Sequence, residues 1–129
     1  MSIFTKIVSG EIPSYKIAED NNYLAFLDIN PNTKGHTLVI PKKEINKLFD
    51  LDQKEYLDLM SFSYRVAKAI EKTVPCKRIG MSVIGLEVPH VHVHLIPINT
   101  MSNMRFVEKE KLTSNEFESL AKDISSNFS

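Results

Sequence analysis

Tryptophan is absent from the 129 residues, cysteine occurs once and glycine four times. A single cysteine, Cys76, allows no disulfide within the chain. That suits a reducing compartment, and a cytoplasmic location is expected. Lys77 and Arg78 could lower the Cys76 pKa, but the residue reads as a bystander rather than a nucleophile. Net charge is also missing, since Lys+Arg and Asp+Glu both number 16. This removes the electrostatic case for nonspecific nucleic-acid or anionic-membrane binding and tolerates self-association. No apolar run is long enough to span a bilayer. Met1 to Gly10 does not read as a signal peptide, because Lys6 interrupts it and no apolar core follows. No internal repeat, low-complexity segment or linker is seen. A hydrophobic content of 43% supplies a core, and the length fits one domain over residues 1–129.

What stands out against this background is His90-Val91-His92-Val93-His94-Leu95-Ile96-Pro97. It holds three of the chain's four histidines. Strand-forming Val and Leu separate and follow them. Alternate residues of a strand share a face, so the three imidazoles are expected on one side and Val91, Val93 and Leu95 on the other. Each ring carries two polar nitrogens that need partners when buried.

Three readings compete for the row. It can be an incidental half-exposed strand. It can be a metal site, though a strand separates the His90 and His94 Cα atoms by roughly 13 Å, too far for both to reach one zinc at ~2.0–2.1 Å without folding inward. Two of the three could still ligate with help from elsewhere. Or it can be catalytic, with a neutral imidazole nitrogen as nucleophile and its neighbours positioning and stabilising charge.

Along the chain, Ile3, Phe4, Ile7 and Val8 have helical spacing. Tyr15–Ala18, Tyr23–Leu27 and His36–Ile40 read as strands, the last two as an antiparallel pair. Residues 53–74 carry apolar side chains at intervals of three and four, with Asp52 and Glu55 as a capping box and Pro75 as the stop. Arg78–Ile84 reads as a strand. Thr113 to Glu116 resembles a second capping box ahead of a C-terminal helix through Phe117, Leu120, Ala121 and Ile124. Strands flanking one long helix without βαβ alternation imply an α+β fold, with a mainly antiparallel five-stranded sheet, a short N-terminal helix and a C-terminal helix. The motifs occupy about residues 3–97, and residues 98–129 form a C-terminal extension.

The histidine segment matches the His-φ-His-φ-His-φ-φ signature of the histidine triad (HIT) nucleotide hydrolases and transferases. Ile3-Phe4-Thr5-Lys6-Ile7-Val8-Ser9-Gly10-Glu11-Ile12-Pro13 resembles the opening segment of that family's Hint-like branch. Ala25-Phe26-Leu27-Asp28-Ile29-Asn30-Pro31 and Gly35-His36-Thr37-Leu38-Val39-Ile40-Pro41-Lys42 resemble its next two blocks. The resemblance implies a hydrolase attacking the α-phosphate of a purine nucleotide conjugate, a phosphoramidate or mixed anhydride. A covalent nucleotidyl-histidine then yields AMP or GMP. His92 would be the nucleophile, its other ring nitrogen held by a backbone carbonyl. His94 would donate to phosphate oxygens, and His90 would support the arrangement. Asp28 would bind the ribose, and Phe4, Ile7, Phe26 and Ile29 the base. Core packing is the competing role for those four. His36 reads as structural or pocket-lining. No metal or cofactor is required, and a homodimer joined edge to edge through its sheets is implied. Apolar residues in excess of one helix face, Phe62 and Tyr64 among them, agree with a second buried surface.

The sequence departs from the family pattern in three places. Glu44 stands where many members have a histidine supporting the triad, which puts the support of His90 in question. Glu87 stands near the usual phosphate-binding hydroxyl, where a carboxylate repels phosphate unless protonated or turned away. It could act as a general acid or face solvent. Ser2 and Thr5 replace two zinc-binding cysteines of some bacterial members, so no structural zinc is expected. A non-catalytic nucleotide-binding module and a zinc-binding protein remain the alternative readings.

Overall fold

Local sequence signals set the elements, and a computed structural model describes residues 1–129. The first helix, α1 (Ile3–Val8), starts where the Ser2 side chain accepts from the Thr5 amide. Two strands follow, β1 (Lys16–Glu19) and β2 (Tyr23–Leu27), then β3 (Thr37–Pro41). The long helix α2 (Gln53–Thr73) opens with the expected capping box: Asp52 accepts from the Glu55 amide at 2.8 Å and Glu55 accepts from the Asp52 amide. It ends because Val74, which precedes Pro75, turns extended, as a residue before proline prefers. Then come β4 (Arg78–Ser82), β5 (Val93–Ile98) and α3 (Ser114–Ser126), which opens with its own capping box at Thr113 and Glu116.

The five strands form one antiparallel sheet in the order β1-β2-β3-β5-β4. The α+β reading is therefore what the chain adopts. Helices α2 and α3 cover one face. There Ala25, Val39, Val91, Val93 and Leu95 meet Leu59, Phe62, Val66, Ile70, Leu120 and Ile124 in a cluster of 19 buried residues. The short α1 covers part of the other face, where Phe4 and Ile7 meet Leu24, Phe26, Leu38 and Ile40. No helix is long and apolar enough to cross a membrane.

Two expectations need correction. The histidine strand is shorter than the sequence implies. Its regular pairing begins at Val93, so only His94 of the three lies within β5. Pro89 has no amide to donate, and the turn it sits in is closed by the His90 amide bonding back to the Val88 carbonyl at 2.8 Å; the Val91 amide pairs with Ile45 of a loop instead of a strand. The alternation of faces survives, because Val91 is buried with Val93 and Leu95 in the helix-side core. The second correction concerns α2. Phe62 is buried within the chain, its ring 5.6 Å from that of Tyr23 and 5.7 Å from that of Phe128. It is thus no sign of a second surface, whereas Tyr64 is exposed.

Candidate active site

Sheet register builds the floor of the site. Directly opposed residues of antiparallel strands share a face. Phe26 of β2 faces Leu38 of β3, Leu38 faces His94 of β5, and His94 faces Ser82 of β4. A row therefore crosses the sheet from the apolar patch under α1 to the histidine. Phe4 stands beside it, its ring 4.9 Å from that of His92, 5.8 Å from His90 and 5.8 Å from Phe26.

Fixed hydrogen-bond partners decide where each imidazole proton sits. A carbonyl only accepts, and a backbone amide only donates. His92 Nδ1 lies 2.6 Å from the His90 carbonyl, so Nδ1 carries the proton and Nε2 keeps its lone pair. The buried polar side-chain atoms without a partner are the Ser14 and Ser82 hydroxyls, so the unpartnered His92 Nε2 opens to solvent. His90 Nε2 donates to the Pro41 carbonyl at 2.8 Å, which leaves Nδ1 to accept from the Ser2 hydroxyl at 2.7 Å.

The fourth histidine joins in the same way. The Asn32 amide donates to His36 Nδ1 at 2.9 Å. His36 therefore carries its proton on Nε2 and donates it to His94 Nδ1 at 2.9 Å. His94 in turn must carry its proton on Nε2, aimed away from His36. Gly35 makes room for this arrangement. Its φ is +97°, and a Cβ there would come within 3.0 Å of both Pro97 and Val74.

Burial keeps His36, His94 and His90 neutral. His36 is fully buried and its pKa is pushed down to about 3, first by desolvation and then by the neighbouring His94. His94 is held at about 4 by burial and by His92 beside it. Burial also lowers His90, opposed by its bond to Pro41 and by Glu44. Asp28 is shifted the other way, upward, because it is largely buried; the Asn30 amide, 2.8 Å from Oδ1, and Lys109 partly offset this.

One ligand atom from each of Asp28, His36 and His94 lies within 4.8 Å of the others, a spacing a cation could bridge. The tautomers argue against it. His36 Nε2 carries a proton and has no lone pair to give while Nδ1 accepts from the Asn32 amide.

Of the residues the sequence singled out, His90, His92, His94, Phe4 and Phe26 meet, with Ile7 in the apolar patch beside them. Asp28 reaches the far side of the group, 3.6 Å from His36 Nε2. Ile29 stays 73% exposed and Glu87 is exposed, without a hydrogen bond or ion pair. Glu87 thus faces solvent instead of joining the cluster. Glu44 does not leave His90 unsupported. Its carboxylate accepts from the Ser2 amide and from the Thr5 hydroxyl, and Ser2 holds His90. Those bonds keep the Glu44 carboxyl down at about 2. Sequence reading missed Ser2 as a partner of His90, Asn32 as a partner of His36, and Ser82. The Ser82 hydroxyl is buried without a partner on the face of His94. Its place in the strand was the available signal.

Similarity to known proteins agrees with this geometry. A family model described as the HIT domain matches residues 9–101. An uncharacterised HIT-like protein of Methanocaldococcus jannaschii is 42% identical over 108 residues, covering 75% of this chain and 78% of its own. The adenosine 5'-monophosphoramidase of Saccharomyces cerevisiae is 43% identical over 96 residues, covering 74% of this chain and 61% of its own. Among solved structures, a HIT-like protein from Bartonella henselae superposes with a TM-score of 0.85 at 32% identity, covering 98% of this chain and 96% of its own. The matched span, the four histidines and the sheet that orients them leave one assignment: the chain belongs to the histidine triad family.

Proposed function

We propose that this protein is a nucleotide hydrolase that attacks the α-phosphate of a purine nucleotide phosphoramidate or anhydride through His92. The observation that carries the reading is the 2.6 Å bond from His92 Nδ1 to the His90 carbonyl, which leaves Nε2 bare and open. Support also comes from relatives named adenosine 5'-monophosphoramidase in two yeasts, 43% and 42% identical.

In this reading Nε2 forms a bond to phosphorus while the bond to the leaving group breaks. The His92 ring retains its Nδ1 proton and becomes cationic, and the His90 carbonyl stabilises that charge. Preorganised donors supply most of what phosphoryl-type transfer demands. Here that donor is His94 Nε2–H, whose proton is placed by the bond from His36 to Nδ1. A departing amine takes its proton from bulk solvent, while His94 keeps its Nε2 proton as a hydrogen-bond donor to the phosphate, its Nδ1 held by His36 Nε2–H. Water then attacks the nucleotidyl-histidine, releases the monophosphate and restores the neutral ring. Asp28 accepts from the ribose hydroxyls, and Phe4 and Phe26 present an apolar wall to the base.

A homodimer and a cytoplasmic location belong to the same proposal. The edge strand β4 leaves one rim of the sheet unpaired, with Met81 exposed on it. Unpaired rims are aggregation-prone, and pairing removes the liability.

The test is intact mass after brief exposure to adenosine 5'-phosphoramidate. Wild type is expected to gain an adenylyl adduct and to turn over, and His92→Ala to do neither. Tight AMP binding by wild type, with neither adduct nor turnover, would identify a binding module instead.

A further inference from the structure

The HIT match ends at residue 101, yet the chain continues past the histidines before α3 begins at Ser114. That intervening stretch folds back onto the Pro31–Asn32 turn. Asn32 is buried, and both ends of its side chain are taken by the returning segment. Its Oδ1 accepts from Lys109 Nζ at 2.6 Å, and its Nδ2 donates to the Asn103 carbonyl at 2.9 Å. The Glu110 amide donates to the Pro31 carbonyl at 2.9 Å. Three bonds thus tie one turn to residues 71 to 79 positions later.

The same segment touches the imidazoles directly. The Phe106 ring stands edge-on to His94 at 4.8 Å and to His36 at 6.0 Å. Phe106 is the one non-glycine residue with a left-handed backbone, φ +57°. Such a conformation is strained for a residue with a side chain and persists where surrounding contacts over-determine it. Lys109 Nζ lies 5.1 Å above the Phe106 ring and so braces it from outside.

What the turn does makes the tie consequential. The Asn32 amide is the only fixed donor that tells His36 which nitrogen to protonate. His36 then tells His94. An amide that swings away lets His36 place its proton on either nitrogen. His94 Nδ1 then loses its obligatory donor, and its outward Nε2–H is no longer assured.

We propose that Asn103–Glu110 is a clamp in which Lys109 and Phe106 are positioning residues, holding the Asn32 turn so that His36 and His94 each keep a single tautomer with the proton on Nε2. The inference rests on the hydrolase reading for its catalytic consequence, but the clamp itself is a property of the free protein.

Two variants test it. Lys109→Met removes the ammonium that holds Asn32 Oδ1. Asn32→Ala removes both side-chain bonds while leaving Lys109 charged and the Asn32 amide in the chain. Long-range proton–nitrogen NMR of the ligand-free protein reads the tautomer of each histidine. Wild type is expected to show Nε2–H alone at His36 and His94, and both variants a mixture. Hydrogen-bond partners that orient a functional imidazole are worth ~10–100-fold in activity at metal sites. A kcat loss of about tenfold with nearly constant KM is expected here by the same logic, and Lys109→Arg should restore both tautomer and kcat. Retention of the wild-type tautomers by either variant would overturn the clamp. Absence of turnover in wild type would instead strike the hydrolase reading, and the tautomer spectra would still decide on the clamp.

Discussion

Acidification tests the neutral imidazole chain through stability alone. His36 titrates near 3 and His94 near 4 in the folded protein, while an unfolded histidine titrates near 6.5. Between those values the unfolded chain binds protons that the folded chain refuses. Stability must therefore fall as pH falls through about 6.5, and the loss continues until the folded values are reached. Linkage gives about 1.3 kcal/mol for each ring between about pH 7.5 and pH 5.5, or about 2.5 kcal/mol for the two. The rings share a hydrogen bond, so the slope belongs to the pair. His90, also lowered by burial, adds to it. Asp28, raised by burial, opposes it; Glu44 loses its contribution only below the ordinary carboxylate range, beneath this window. Urea unfolding followed by far-UV circular dichroism measures the loss. With a slope of ~1–3 kcal/mol per molar urea, the midpoint should drop by about 0.8–2.5 M. A midpoint that stays level or rises on acidification would refute the assignment of buried, neutral, hydrogen-bonded rings.

Ser2→Ala removes the α1 cap, worth about 1 kcal/mol, and orphans the buried His90 Nδ1, worth about 1–3 kcal/mol. A combined loss of about 2–4 kcal/mol is expected in the same urea assay, with Ser2→Thr close to wild type; a loss below about 0.5 kcal/mol would show that Ser2 does not hold His90. Asp28→Asn exchanges a charged acceptor for a neutral one at the proposed ribose site. A charged hydrogen bond is worth ~1.5–3 kcal/mol and a neutral one ~0.5–1.5 kcal/mol, so the difference of about 1–1.5 kcal/mol should raise KM for the adenosine conjugate about 5- to 13-fold with kcat little changed. An unchanged KM would remove Asp28 from the nucleotide site.

Much of the fold is legible locally. Asp52 with Glu55 and Thr113 with Glu116 announce α2 and α3, because a capping box is a signal four residues long. The alternation of His90, His92 and His94 with valines gives the faces correctly, since side-chain direction follows backbone extension. It misjudges the strand's start, which depends on what Val91 pairs with, namely Ile45 in a distant loop. Partner choice has no local signature. The same holds for Ser2 with His90, 88 positions apart, and for Lys109 with Asn32, 77 apart. Ile29 and Glu87 stand out by position within motifs, and motif position does not report exposure. His36 is the instructive case: its sequence context suggests a strand-start residue lining a pocket, and only the 2.9 Å contact to His94 joins it to the triad.

Everything in the proposed chemistry turns on the His90 carbonyl, which fixes the proton of His92 on Nδ1 and leaves Nε2 bare for attack. A long-range proton–nitrogen spectrum of the ligand-free wild-type protein near neutral pH reads this directly. The expected result is a neutral His92 with a protonated Nδ1 and an unprotonated Nε2. A His92 with its proton on Nε2 would contradict the account, because no lone pair would then face the cleft.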